Sequence, residues 1–214
     1  MSKLITLQQP RSAAAEAYRS LRTNLLFATL DDPASRSILL SSPTAKEDKS
    51  LALANLAVTL AQSDHRTLIV DADLRRPVQH QLWGLENKQG LTDVLLSGQG
   101  DWPLQKTEVP GLQVLTAGTL PANPADVLAS KRMGEAMAGL RELADYILFD
   151  APPLLALSDA AILSRQVGGV VLVVKTGLSR RDEIQKAQTQ LDQVGARVLG
   201  VVMMNAPRSS NQYL

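Results

Sequence analysis

The densest candidate chemistry lies in Leu68–Pro77, LIVDADLRRP, where an apolar run ends in Asp71 and Asp73 and is followed at once by Arg75, Arg76 and Pro77. Two carboxylates one residue apart suit a hydrated Mg²⁺, or the deprotonation of an attacking hydroxyl or water. Taken alone, the same residues also describe an Asx turn with a solvated arginine pair. Two other places decide between these readings. Lys49-Ser50 follows a loop after the apolar run Ser37–Ser42, and Asp150 closes the run Tyr146–Phe149.

Positioning these groups requires strands whose carboxyl ends share one edge. The runs at 37–42, 67–70, 112–115, 146–150, 169–175 and 198–204 are short and apolar without strict alternation, as expected of parallel strands buried on both faces. Helical segments fall between them: 51–62, apolar almost all round; 90–96; 125–143, expected to be interrupted near Gly134; 158–166; and 181–194, with Ile184, Ala187, Leu191 and Val194 inward. Asn123 is placed as an N-cap, with Pro124 at the first helical position. An N-terminal helix over 12–30 carries Ala13, Ala17, Leu21, Leu25 and Phe27 or Ala28 near one face, and Glu16, Arg19 and Arg22 as one polar stripe. Such alternation predicts an α/β fold, a doubly wound and mostly parallel sheet flanked by helices, over residues 1–214 as one domain, with a loose tail at 206–214.

Composition narrows the functional classes. The 214 residues carry a formal net charge of +1, which gives no argument for nucleic acid, and only 3% are aromatic, which argues against base-stacking surfaces. Cysteine is absent, so disulfides and thiolate metal sites are excluded. The longest apolar run, Val170–Val174, is far below the roughly 20 residues needed to cross a bilayer, and the N-terminus lacks the apolar stretch of a signal peptide. Direct membrane insertion is therefore not expected.

Together, Lys49-Ser50, Asp71, Asp73 and Asp150 at successive strand ends match the parts of a P-loop nucleotide site: a lysine and backbone N–H groups for phosphates, a serine for Mg²⁺, and strand-end carboxylates for the metal's water shell. The sequence resembles the bacterial tyrosine kinases (BY-kinases) of capsule and exopolysaccharide synthesis, within the wider group of septum-site and chromosome-partition ATPases. Asp71-Ala72-Asp73-Leu74-Arg75-Arg76-Pro77 is similar to that family's second phosphate motif, Walker A′, and Ile147–Pro153 to its Walker B motif. Gly90–Leu95, Pro121–Leu128, Gly200–Asn205 and Glu16–Asn24 also resemble family segments.

The resemblance implies ATP and Mg²⁺ as cofactors. It places Asp71 and Asp73 in catalysis, Lys49, Ser50 and Asn205 on the nucleotide, and Ser50, Asp73 and Asp150 at the metal. It also implies a homo-oligomer built through Glu16, Arg19 and Arg22, phosphorylation of a tail tyrosine, here Tyr213, and a cytoplasmic location at the inner face of the membrane. There the partner would be an inner-membrane polysaccharide chain-length regulator. The rival readings are a non-catalytic assembly subunit of the export machine and a partition-type ATPase; the Glu16/Arg19/Arg22 helix argues against the latter.

Two departures qualify this. Relatives carry Pro-Gly-Glu-Gly-Lys-Ser in the phosphate loop, whereas this chain has Ala45-Lys46-Glu47-Asp48-Lys49-Ser50. If a glycine position requires positive φ, a side chain there costs about 1–2 kcal/mol. A carboxylate about 5 Å from a phosphate charge is repelled by roughly 3 kcal/mol at an effective dielectric of 20. Relatives also end in a tyrosine cluster, where this chain has Tyr213 alone. Nucleotide binding and kinase activity are therefore expected to be weakened or lost.

Overall fold

The computed structural model describes residues 4–98 and 101–206. Tyr213 and nearly all of the expected tail lie outside the described residues. The chain begins with a short helix α1 (Ile5–Gln8) and a longer α2 (Ala13–Ala28), whose N-cap Ser12 accepts from the Ala15 N–H. Then follow β1 (Ser37–Ser41), α3 (Lys49–Ala61), β2 (Thr67–Asp71), α4 (Gln79–Trp83), α5 (Leu91–Ser97), β3 (Gln105–Lys106) and β4 (Leu112–Leu115). The second half runs α6 (Pro124–Ala129), α7 (Lys131–Leu143), β5 (Tyr146–Asp150), α8 (Asp159–Ser164), β6 (Gly169–Lys175), α9 (Arg181–Gln193) and β7 (Val198–Met204).

The strands form one sheet in the order β3-β4-β2-β5-β1-β6-β7, parallel except for the two-residue edge strand β3. Every residue of β1, β2 and β5 is buried, which explains why their sequences do not alternate. One face, with Ile38, Leu40, Ile69, Leu148 and Val171, is covered by α3, then by α2 and Leu4. The other, with Leu39, Val70, Phe149 and Leu172, is covered mainly by α5, α7, α8 and α9. The doubly wound parallel sheet is as the sequence predicts.

The strand order positions the chemistry. β5 lies between β2 and β1, with Asp71 opposite Asp150 in register. α3 starts at Lys49, two residues before the expected start at Leu51, so Lys49 and Ser50 occupy its first turn.

Several details differ from the sequence reading. The 125–143 helix breaks at Ser130 and not near Gly134, because the Ser130 hydroxyl donates to the Val127 carbonyl and accepts the Met133 N–H, ending one helix and capping the next. Pro124 is the first residue of α6, but the Asn123 side chain does not cap it. On α2 the buried residues are Ala15, Tyr18 and Leu25, while Ala17, Phe27 and Ala28 are exposed and Leu21 is half-buried. That helix is turned to set the Tyr18 hydroxyl 3.8 Å from Met204 Sδ and the Arg22 guanidinium against α3. On α9, Ala187 and Leu191 are buried, and Ile184 and Val194 half-buried. The short elements α1, α4 and β3 give too few residues for a periodic signal.

The turn before α5 admits no side chain. A Cβ on Gly90 would sit 2.0 Å from the Thr116 carbonyl oxygen and 2.4 Å from the Gly118 nitrogen. This close approach lets the Leu91 and Thr92 N–H groups bond to the 116–117 carbonyls, while Asp93 Oδ2 accepts from both Gly90 and Thr119. Gly90→Ala is expected to cost about 3 kcal/mol in urea unfolding, the upper range for overpacking a tight contact; a loss below about 1 kcal/mol would show that the 116–118 loop yields.

Candidate functional site: a lysine held among carboxylates

At the carboxyl edge of β1, β2 and β5, Lys49 Nζ lies 2.8 Å from Asp150 Oδ1, 3.3 Å from Ser50 Oγ and 3.6 Å from Asp73 Oδ2. Asp150 is fully buried and Lys49 and Asp73 nearly so. The second oxygen of Asp150 accepts the Gln79 side-chain amide at 2.8 Å, and the same amide donates to the Ser50 carbonyl at 3.2 Å. The Gln79 oxygen accepts from the Trp83 indole, so this buried glutamine ties α4 to both α3 and β5.

Asp71 sits beneath this layer. Its Oδ2 accepts the Val78 and Gln79 N–H groups at 3.0 and 2.9 Å, and its Oδ1 accepts the Asp73 N–H at 3.3 Å. It therefore anchors the 72–79 turn and does not line the cavity above. Burial, then the neighbouring Asp150, pushes the Asp71 carboxyl well above the ordinary range. Burial also raises Asp73, against the lowering influence of Lys49. For Lys49, burial pulls the ammonium down, but Asp150, Asp73 and Asp71 together hold it above its usual value. Its stabilising charge is thus fully present below the unfolded lysine value and is lost only as pH rises through the higher folded one.

Above these groups opens a cavity of about 870 Å³, lined by Asp48, Lys49, Ser50, Asp73, Arg75 and Pro152 among others. Arg75 is fixed on its wall by two bonds to buried Asp159, at 2.8 and 3.1 Å. Asn205, at the end of β7, is exposed with positive φ and does not line this cavity. Glu16 and Arg19 pair with each other on the surface of α2. Arg22 turns inward, its Nη1 donating to the Thr59 carbonyl at 3.0 Å. The expected three-residue stripe therefore presents two residues outward and one toward α3.

The loop without glycines is only half as strained as the sequence suggests. Non-glycine residues with positive φ among those described are Asp48, Asp64 and Asn205, so the strain falls on Asp48 (φ 54°) and not on Lys46. Aspartate is among the residues that visit this region most readily. Lys46 is exposed, and the Asp48 carboxylate ion-pairs with Lys175 at the end of β6. Glu47 is buried: it accepts Thr44 Oγ1 at 2.8 Å, Ser179 Oγ at 3.0 Å and the Lys46 N–H at 2.9 Å. Burial, then the Asp48 carboxylate, pushes the Tyr18 phenol up to about 12.

The donor set fits Mg²⁺ with a nucleotide's phosphates. Ser50 and Asp73 offer hard oxygen ligands at the cavity wall, with Asp150 fully buried behind them, and the first N–H groups of α3 have no intrahelical acceptor, which suits an anion. Among the described residues no cluster of three or more His, Cys, Asp or Glu side chains forms a ready cation cage.

No family model matches the chain. Tyrosine-protein kinase YwqD of Bacillus subtilis is 39% identical over 94% of this chain and 84% of its own length. The chain belongs to the bacterial tyrosine kinases. Tyrosine-protein kinase Wzc of Salmonella typhi is 33% identical over 99% of the chain, which spans only 30% of that relative. The kinase domain of the Escherichia coli tyrosine kinase ETK superposes with a TM-score of 0.90 at 32% identity, covering 98% of this chain and 83% of that one. The cell-division ATPase MinD of Pyrococcus furiosus superposes at 0.68 with 26% identity, over 82% and 74% of the two chains. The fold of this tyrosine kinase homologue is therefore that of the MinD-like P-loop NTPases.

The structure brings Lys49, Ser50, Asp73 and Asp150 together and adds Gln79, Glu47, Lys175 and Ser179 around them. Nothing in the spacing of these last four marks them. Lys49→Met leaves Asp71, Asp73 and Asp150 buried without their ammonium, and is expected to cost about 3–5 kcal/mol at pH 7. Lys49 lowers both Asp71 and Asp73, so its loss raises them further and the folded state then takes up protons more readily. The deficit in urea unfolding is therefore expected to shrink between pH 7 and pH 5; a deficit that grows would contradict this electrostatic assignment.

Proposed function

We propose that this chain is the nucleotide-dependent kinase component of a capsule or exopolysaccharide machine, with attenuated but retained affinity for Mg²⁺–ATP. The observation that carries the reading is the convergence of Lys49, Ser50, Asp73 and Asp150 below a cavity whose loop already holds the one left-handed residue it requires. ATP would supply the phosphoryl group, leaving as ADP, and bound Mg²⁺ would offset the phosphate charge. Lys49 is placed to hold phosphate oxygens in exchange for Asp150. Ser50 and Asp73, with Asp150 buried behind them, would hold the metal and its waters. Asp73, the carboxylate that reaches the cavity, takes the proton of the attacking hydroxyl, while Asp71 fixes the turn that aims it. Asn205, exposed just past β7, would meet the nucleotide only where it extends beyond the cavity.

The acceptor is a tyrosine of a neighbouring copy, Tyr213 being the tail candidate. Copies assemble through α2, and an inner-membrane chain-length regulator brings the assembly to the cytoplasmic face of the membrane. Among the described residues no helix is long and apolar enough to cross a membrane. A second reading, a non-catalytic assembly subunit, is favoured by the pairing of Lys49 with Asp150 and Asp73, which satisfies the site without a nucleotide.

Isothermal titration with Mg²⁺–ATP separates the two. A dissociation constant in the tens to hundreds of micromolar, about 5–7 kcal/mol of binding, is expected. No heat of binding at millimolar nucleotide would favour the assembly-subunit reading. For assembly, Glu16→Ala with Arg19→Ala is expected to move sedimenting oligomers toward monomer; a wild-type protein that is monomeric at high concentration would remove that part of the proposal.

A further inference from the structure

Asp48 puts an exposed carboxylate into the loop at the cavity rim, where its charge would oppose a phosphate, while the Glu47 carboxylate is buried and accepts three hydrogen bonds. Yet the Asp48 carboxylate is ion-paired with Lys175, whose side chain is only 18% exposed. Among the described residues Lys175 is the cation paired with it; Lys49 faces Asp150 and Asp73 instead. Tyr18, whose phenol feels the Asp48 carboxylate, is held up at about 12 and so stays neutral through physiological pH. Lys175 is also placed by its backbone. Its N–H donates to Ser179 Oγ at 2.9 Å, and that hydroxyl donates to Glu47 Oε1 at 3.0 Å. The turn between β6 and α9 thus grips two successive loop residues, Glu47 by a hydrogen bond and Asp48 by charge.

We propose that Lys175 is a positioning residue for nucleotide binding: it neutralises Asp48 and holds that carboxylate off the phosphate path, compensating for the absent glycine. The inference rests on the nucleotide-site reading above. The ligand class is a nucleoside di- or triphosphate with Mg²⁺. An unpaired carboxylate near a phosphate is opposed strongly even at an intermediate dielectric, whereas a paired one presents little net charge. Lys175 acts through Asp48, so its effect must vanish when Asp48 is removed.

A double-mutant cycle read by titration calorimetry with Mg²⁺–ADP tests this. Lys175→Gln is expected to weaken binding about thirty-fold. Lys175→Arg, which keeps the charge, is expected to stay within about threefold of wild type. Asp48→Gly should bind at least as tightly as wild type, and Lys175→Gln added to it should cost less than about threefold. Thermal unfolding of each variant confirms that the comparison is between folded proteins. Wild-type affinity in Lys175→Gln would overturn the compensation while leaving the nucleotide site standing. An equal loss with and without Asp48 would also overturn it, by making Lys175 a direct phosphate ligand. Failure of every variant and of wild type to bind Mg²⁺–ADP would overturn both the inference and the nucleotide reading.

Discussion

A single buried ammonium holds the working edge of this sheet together. The order β2-β5-β1 forces Asp71 and Asp150 into adjacent register and brings Asp73 over them. Three carboxylates in so little water would repel one another or take up protons. Lys49, delivered by the first turn of α3, bonds one and lies 3.6 Å from another. Gln79 then satisfies the remaining oxygen of Asp150, and the backbone of the 73–79 turn satisfies Asp71. A buried charge set of this kind is a weak source of stability but a costly thing to break. In the proposed nucleotide site, phosphates and Mg²⁺ would bring the same charges that Lys49 and the carboxylates now supply to each other.

The loop above shows how the same fold accommodates an unfavourable sequence. Two glycines of the family pattern are replaced, but only one position, Asp48, has the left-handed backbone that glycine favours. The other, Lys46, takes an ordinary conformation with its side chain in solvent. In the proposed compensation, what glycine would give by lacking a side chain comes from outside the loop, through Lys175 at the end of β6 and Ser179 just beyond it. Buried Glu47 links the two halves, accepting from Thr44 and Lys46 on one side and Ser179 on the other.

Much of the fold was legible because parallel strands buried on both faces leave unbroken apolar runs, as in Tyr146–Asp150 and Gly169–Lys175. The same runs placed Asp71, Asp73 and Asp150 at a common edge. Helix limits were less legible, since Ser130 ends α6 through its own hydroxyl while Gly134, the weaker helix former, lies undisturbed inside α7. The facing of α2 was misjudged for a related reason: alanines fit either side of a helix, and the choice was made by Tyr18 and Arg22 meeting β7 and α3. Within the site, residues that act along the chain's local order were readable. Gln79 and Lys175 act across more than 70 and 120 residues of sequence, and only tertiary structure discloses such partners.

The central claim is that the Lys49 ammonium exchanges carboxylates for phosphates while the glycine-free loop keeps its present backbone. A crystal structure grown with Mg²⁺ and ADP tests it most directly. The expected result is Lys49 Nζ moved from Asp150 onto a phosphate oxygen, Asp48 still at positive φ, and its carboxylate still on Lys175. A nucleotide bound elsewhere with Lys49 unmoved, or a loop refolded about Asp48, would contradict it.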